Sequence, residues 1–154
     1  MMNLASLEQQ LLEIQRKLQS KINSALKNEV STTSRETLKK HIQTDVYDQY
    51  TSQAAEPYIR RYDQGGLLDD ENIETIMIDD NTLMIENTTT NDKFRKYIPE
   101  IIESGTGYTW IHSEIYKNQP YPRPFVERTF EELKSGVAAS ALRNGLQRQG
   151  INCK

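Results

Sequence analysis

Two histidines, one cysteine and two clusters of carboxylates are the residues of this chain best equipped for chemistry. His41 falls within a helical pattern, His112 within an extended one, and Cys153 stands near the C-terminal end. A structural zinc site takes about four nitrogen or sulfur ligands at short spacings, and three scattered candidates do not meet that need. Asp69-Asp70-Glu71 and Asp79-Asp80 raise metal-dependent nuclease chemistry, which requires carboxylates converging from rigid elements. Both clusters sit instead at expected turns, where Asp accepts hydrogen bonds from nearby backbone N–H groups. Gly105-Thr106-Gly107 is followed by neither Lys-Ser/Thr nor a helix start and is no phosphate loop. Ser104 has no base to activate it. Arg60-Arg61-Tyr62 joins cations to an aromatic ring, a combination that can hold phosphate; the simpler expectation pairs these arginines with Asp63, Asp69 and Asp70. These residues predict no enzyme, no metal and no cofactor.

The elements that position them follow from hydrophobic periodicity. Leu4, Leu7, Leu11, Ile14, Leu18, Ile22, Leu26 and Val30 recur every three or four residues, which predicts one long helix over 1–30. Ser6 and Gln9 resemble a capping box, with Asn3 as an earlier cap. A stripe of this kind reads first as core, and also as a coiled-coil seam where so long a helix overhangs a small sheet. Ser31-Thr32-Thr33-Ser34 is expected to break it, and a second helix follows over 35–50 with Leu38, Ile42, Val46 and Tyr50 inward. Pro57 prevents simple continuation. The region 58–122 then reads as β-structure with loops. Gly65-Gly66 marks a turn, and alternation from Ile73 to Asp80, turn residues Asp80-Asn81 and a return from Thr82 to Asn87 predict a hairpin. Residues 88–96 are polar and read as a loop or mobile arm, and 108–121 as a long extended connection. Pro124 opens a C-terminal helix over 124–149. Its stripe is Phe125, Phe130 or Thr129, Leu133, Val137, Ala141, Leu142 and Leu146. Gly136, at about 1 kcal/mol against Ala in a helix, marks a kink or a close contact, and Gly150 ends the helix. The expected fold is α+β: a small antiparallel sheet flanked by a long N-terminal helix and a C-terminal helix, in a single domain 1–154.

With 154 residues, 36% of them hydrophobic and 27% charged, the chain has single-domain size but a thin core. Flexible segments or energy supplied by neighbouring subunits account for such a composition. Net charge is −3, yet it is unevenly spread. Residues 1–44 and 104–154 each carry seven Lys/Arg against four Asp/Glu, whereas 45–103 carry five against fourteen. Basic ends around an acidic middle suit head-to-tail contacts between copies; a solvated acidic β-region gives the same pattern. The single cysteine allows no intrachain disulfide. The N-terminal stretch lacks the pattern of a signal peptide, and no apolar run nears the roughly 20 residues that span a bilayer. Assembly in the cytoplasm is expected, with no membrane partner.

Three segments in order resemble the tail-completion, or head–tail joining, proteins of tailed phages and phage-derived tails. They are Tyr58-Ile59-Arg60-Arg61 with Gly65-Gly66-Leu67-Leu68-Asp69 and Asn72-Ile73; Ile101-Ile102-Glu103-Ser104-Gly105-Thr106-Gly107-Tyr108; and Arg123-Pro124-Phe125-Val126 with the helix after it. The resemblance implies a structural virion protein of the neck, forming a closed ring, typically a hexamer, that terminates the tail tube. Its implied partners are copies of itself, a head-side connector or stopper, the tail tube protein, and DNA in transit. Arg60, Arg61, Gly65, Gly66, Asp69, Arg123, Pro124 and Phe125 become the candidate structural or interface residues. The alternatives are a small non-enzymatic interaction module that uses the N-terminal amphipathic helix, and, less simply, a metal-dependent nuclease.

Overall fold

The chain begins with a helix that does not stop where its capping residues suggest. In the computed structural model, which describes residues 3–49, 61–91, 96–108 and 121–153, α1 spans Leu4–Ala25 and passes through a π-helical turn, Leu26–Val30. It continues as α2, Ser31–His41, and ends in a second π-helical turn, Ile42–Tyr47. Every junction keeps right-handed helical dihedrals, so these pieces form one rod of roughly 65 Å at 1.5 Å per residue. Asn3 precedes the rod without a side-chain cap, and the Ser6–Gln9 capping box is not formed.

The expected break at Ser31-Thr32-Thr33-Ser34 is therefore corrected: the two expected helices are parts of one rod, Leu4–Tyr47. Ser31, Ser34 and Thr37 are buried. The Ser31 hydroxyl donates to Thr75 Oγ1 at 3.0 Å, and Thr37 Oγ1 donates to the Thr33 carbonyl at 2.8 Å. Hydroxyls that elsewhere compete with helical backbone are here satisfied within the helix or across to the sheet, and their small size lets the sheet approach.

Strands β1 (Ile73–Met77) and β2 (Leu83–Asn87) form the expected hairpin. They are antiparallel, with Thr75 opposite Ile85 and Ile76 opposite Met84. Ile73 is buried and Thr75 bonds to the rod, while Glu74 and Ile76 on the other face are exposed. A second, minimal pair joins β3 (Thr90–Asn91) to β4 (Lys96–Tyr97). The polar 88–96 stretch is thus no free arm where it is described: Thr89 is 2% exposed and its hydroxyl donates to the Gly66 carbonyl.

Helix α3 (Ile98–Ser104) starts with Pro99 in its first turn and ends at Gly105 in the left-handed conformation, as a proline start and glycine stop require. The C-terminal helix comprises α4 (Phe125–Glu132), a π-helical turn (Leu133–Val137) and α5 (Ala138–Arg148). It is kinked at Gly136, whose φ of 121° is outside the helical range, and closed by Gly150, with the Ile151 N–H donating to the Leu146 carbonyl. On the buried side it is Thr129, at 3% exposure, that follows Phe125; Phe130 is 59% exposed.

The core lies where the rod meets the hairpin and α4. Leu38, Ile42, Val46, Tyr47, Leu67, Ile73 and Phe125 form it, with Leu68, Ile85, Ile98 and Ile102 packed around them. A second junction joins α5 to the rod. A Cβ on Gly145 would lie 2.7 Å from the Ala25 Cβ, so the glycine is what permits the helices to touch there. Arg148 pairs with Glu29 at 2.9 Å over the same junction.

Candidate interaction surfaces

The Gly65-Gly66 segment is held by backbone. The Asp69 carboxylate accepts hydrogen bonds from the N–H groups of Gly65 at 2.6 Å and Glu71 at 3.0 Å, and these bonds hold its pKa below the ordinary value of 3.8. A Cβ on Gly66 would fall 1.8 Å from the Arg61 carbonyl oxygen, so no other residue fits. The Gly66 carbonyl accepts from Asn72 Nδ2 and Thr89 Oγ1, and the Leu67 carbonyl from Asn87 Nδ2. Tyr47 donates its hydroxyl proton to the Arg61 carbonyl at 2.6 Å and stacks at a tilt on Tyr62, ring centres 4.4 Å apart. This web fastens the loop to the rod and to the end of β2.

The expected pairing of Arg61 with Asp69 and Asp70 is corrected. Arg61 donates to the Thr90 carbonyl, Asp69 serves as a turn cap, and Asp70 pairs with Arg35 at 2.9 Å and Lys39 at 2.7 Å on the rod. Lys39, then Arg35, depresses the Asp70 pKa. Asp79 likewise accepts from the Asn81 N–H at the hairpin turn. Tyr50, Pro57, Arg60 and His112 lie outside the described residues.

Arg123-Pro124-Phe125 is the hinge into α4. Arg123 is 6% exposed; its N–H donates to the Ile102 carbonyl at 2.9 Å and its guanidinium to the Tyr108 hydroxyl at 3.2 Å. Phe125 is fully buried. Glu103 is the partner that periodicity could not reveal: its two carboxylate oxygens accept from the N–H groups of Val126 and Glu127, each at 2.9 Å. A carboxylate there satisfies orphan donors and opposes the helix dipole. A Cβ on Gly105 would lie 2.4 Å from the Pro122 nitrogen, so Ile101–Gly107 and the 121–125 segment fit closely. Leu67, Ile102 and Phe125, one from each motif segment, converge on one core.

His41 also has a place that its sequence context concealed. Its ring nitrogens lie 2.8 Å from Asp45 and 2.8 Å from Glu132, while Arg128 reaches Asp45 at 2.6 Å and Lys40 reaches Glu132. Lys40, then His41, lowers the Glu132 pKa. The cluster ties α2 to α4. Among the described residues no three His, Cys, Asp or Glu side chains converge as a metal-binding group.

Exposed apolar surface is concentrated in a few places. On α1, Leu4, Leu7, Leu11, Leu12, Ile14 and Leu18 are between 44% and 74% exposed; the stripe expected first as core is bare here because no described element extends alongside it. Ile76 and Ile78 are exposed on the hairpin, and Val126 and Phe130 on α4. Patches of this kind mark surfaces that meet other molecules. Among the described residues no helix is long and apolar enough to cross a membrane.

The sequence matches the model of the YomN family over residues 3–148. The chain belongs to the YomN family. It is 34% identical over 111 residues to the SPbeta prophage-derived protein YomN of Bacillus subtilis (strain 168), covering 72% of this chain and 71% of that protein. This kinship indicates a phage-derived origin. No solved structure matches the chain.

Proposed function

We propose that this YomN-family protein is a non-enzymatic structural subunit of a phage-derived particle. In this reading it forms a ring at the head–tail junction that terminates the tail tube, meets the head connector and lets DNA pass. The observation that carries the reading is the open hairpin. β1 and β2 form a two-stranded sheet, so each strand has an edge. Arg35 donates to the Ile73 carbonyl on the β1 side, and Tyr97 to the Asn87 carbonyl on the β2 side. Among the described residues, none donates to or accepts from the outward backbone groups of Leu83 and Ile85. An edge of this kind pairs readily with another strand, and pairing under a rotation that closes makes a ring. The ordered motif segments, all built into one core, supply the frame that presents it.

The engaged state of the acids supports the absence of catalysis: Asp69 and Asp79 cap turns and Asp70 is held by two cations. The test is imaging and light scattering of the purified protein, together with mass spectrometry of purified particles from the source phage or prophage. Closed rings that are lost in a Leu83→Pro variant, and copies in the particle, are expected. Absence from particles combined with no assembly at any concentration would remove the proposal. The alternative of an interaction module has the bare α1 stripe in its favour, and its signature is a protein that associates through α1 but makes no ring.

A further inference from the structure

We propose that the projecting part of α1 pairs with the same segment of a second copy, antiparallel, as a short two-stranded coiled coil. Leu4, Leu7, Leu11, Ile14 and Leu18 follow the alternating three- and four-residue spacing of a coiled-coil seam, and all are exposed. The seam continues inside the molecule. Leu4, Leu11, Leu18 and Ala25 are each seven residues apart, and Ala25 is fully buried against Gly145 of α5. α5 runs antiparallel to α1: Gly145 faces Ala25 and Glu29, whereas Gln149 lies four residues on, at Lys21. α5 ends at Arg148, and just past that point the covered seam becomes a bare one. A second copy of α1 laid antiparallel extends the packing that α5 begins.

Charge selects the occupant and its direction. About Leu11, the outer half of the projecting segment carries Glu8, and its inner half Arg16 and Lys17 against Glu13, which pairs with Lys17 at 2.8 Å. Antiparallel pairing sets the acidic outer half of each copy beside the net-basic inner half of the other, an attraction that salt screens. Parallel pairing would place like beside like. The bodies agree. Gln19 donates to the Asp80 carbonyl at 3.1 Å and to Asn81 Oδ1 at 2.7 Å, so the hairpin tip marks the edge of the body. An antiparallel pair centred on Leu11 keeps the two bodies at opposite ends. The seam is only about two heptads long, so the pair is expected to be weak, with dissociation in the micromolar range.

This pairing uses a different surface from the ring and stands whether or not the ring forms. Its test is sedimentation equilibrium of the full chain from about 1 to about 500 µM. Pairwise association through α1 is expected, seen as a monomer–dimer equilibrium in the Leu83→Pro protein that cannot close the ring, weakened at least roughly tenfold by adding Leu11→Glu and weakened as salt rises. A Glu8→Lys/Glu13→Lys variant and an Arg16→Glu/Lys17→Glu variant should each associate less with themselves, and their equimolar mixture should recover the pair. Circular dichroism identical to the parent keeps each variant interpretable, and Leu83→Pro, directed at the hairpin edge, should leave the pair intact. A strict monomer across the range overturns the proposal and assigns the stripe to another protein. A dimer indifferent to Leu11→Glu, or one strengthened by salt, overturns it as well.

Discussion

Lys21 and Gln149 hold each other reciprocally: Lys21 Nζ donates to the Gln149 carbonyl at 2.8 Å, and Gln149 Nε2 donates to the Lys21 carbonyl at 2.9 Å. The clasp fixes the end of α5 against the rod, just where the rod begins to project. Gln149→Ala removes the side-chain half and should lower unfolding free energy by about 1 kcal/mol. Urea titration measures this, and hydrogen exchange should show the last turn of α5 opening first. An unchanged urea midpoint would show that the clasp holds nothing.

Gly136 has a sign to test. In a regular helix Gly→Ala stabilises by about 1 kcal/mol, but here φ is 121°, where a Cβ is strained whatever the surrounding space. Gly136→Ala should therefore destabilise by about 1–2 kcal/mol in thermal or urea unfolding. A stabilised variant would mean that the C-terminal helix runs straight in solution.

Glu103 should behave as a cap supplied from another element. Glu103→Ala leaves the Val126 and Glu127 N–H groups without that acceptor and is expected to cost about 1–2 kcal/mol. Glu103→Gln keeps one acceptor oxygen and should lose less. Equal losses in the two variants would argue that packing of the side chain, not its oxygens, is what matters.

The adjacent glycines should separate cleanly. Gly66→Ala drives a Cβ into the Arg61 carbonyl and should cost more than about 3 kcal/mol or prevent folding. Gly65 has φ 71° with only the end of the Arg61 side chain near its missing Cβ, so Gly65→Ala should cost about 1 kcal/mol. Soluble yield and unfolding midpoint together distinguish them; similar behaviour would contradict the geometry.

Acid should unfold the protein through carboxylates whose folded pKa is depressed. Asp69 is held down by backbone N–H groups, Asp70 by Lys39 and Arg35, and Glu132 by Lys40 and His41. Each favours the folded state fully above its ordinary pKa, near 4, and that contribution disappears as pH falls through the lower folded value. Melting temperature should be flat on the neutral side and drop below about pH 4, more shallowly in Asp69→Asn. Rising stability on acidification would refute this account. On the alkaline side Tyr97, pushed up to about 12 by burial and then by Glu86, stays protonated through the neutral range.

Much of the architecture was legible from spacing. Three- and four-residue recurrence placed the rod and the C-terminal helix, alternation around Asp80-Asn81 placed the hairpin, and Gly136 was recognised as a kink or a contact. The misses share a cause. Ser31-Thr32-Thr33-Ser34 has the composition of a helix break, and local preference would break it; Thr75 across the sheet and the Thr33 carbonyl within the helix satisfy the hydroxyls instead. Between Phe130 and Thr129, both of which the spacing allows, it is Thr129 that faces inward, because packing, not apolarity, sets the phase of α4. Glu103 carried no local signal, since its partner Val126 lies 23 residues away; for His41 the helix spacing offers Asp45 four residues on, but not Glu132, 91 residues away.

The sequence by itself determined the N- and C-terminal helical stretches and the hairpin, where Gly65-Gly66 and Gly150 turn the chain, and that the Asp pairs belong to turns; helix α3, Ile98–Ser104, lies inside a region that the sequence reads as β-structure with loops. Those outcomes depend on neighbours within a few residues, whose periodicity and backbone preferences are written locally. Only the tertiary structure decided that two predicted helices are one rod and that three motif segments share one core. It alone decided that a single leucine seam is covered at Ala25 and bare from Leu18 outward. Burial is a relation between distant segments, and the point where α5 ends beside the rod is not encoded in either helix alone.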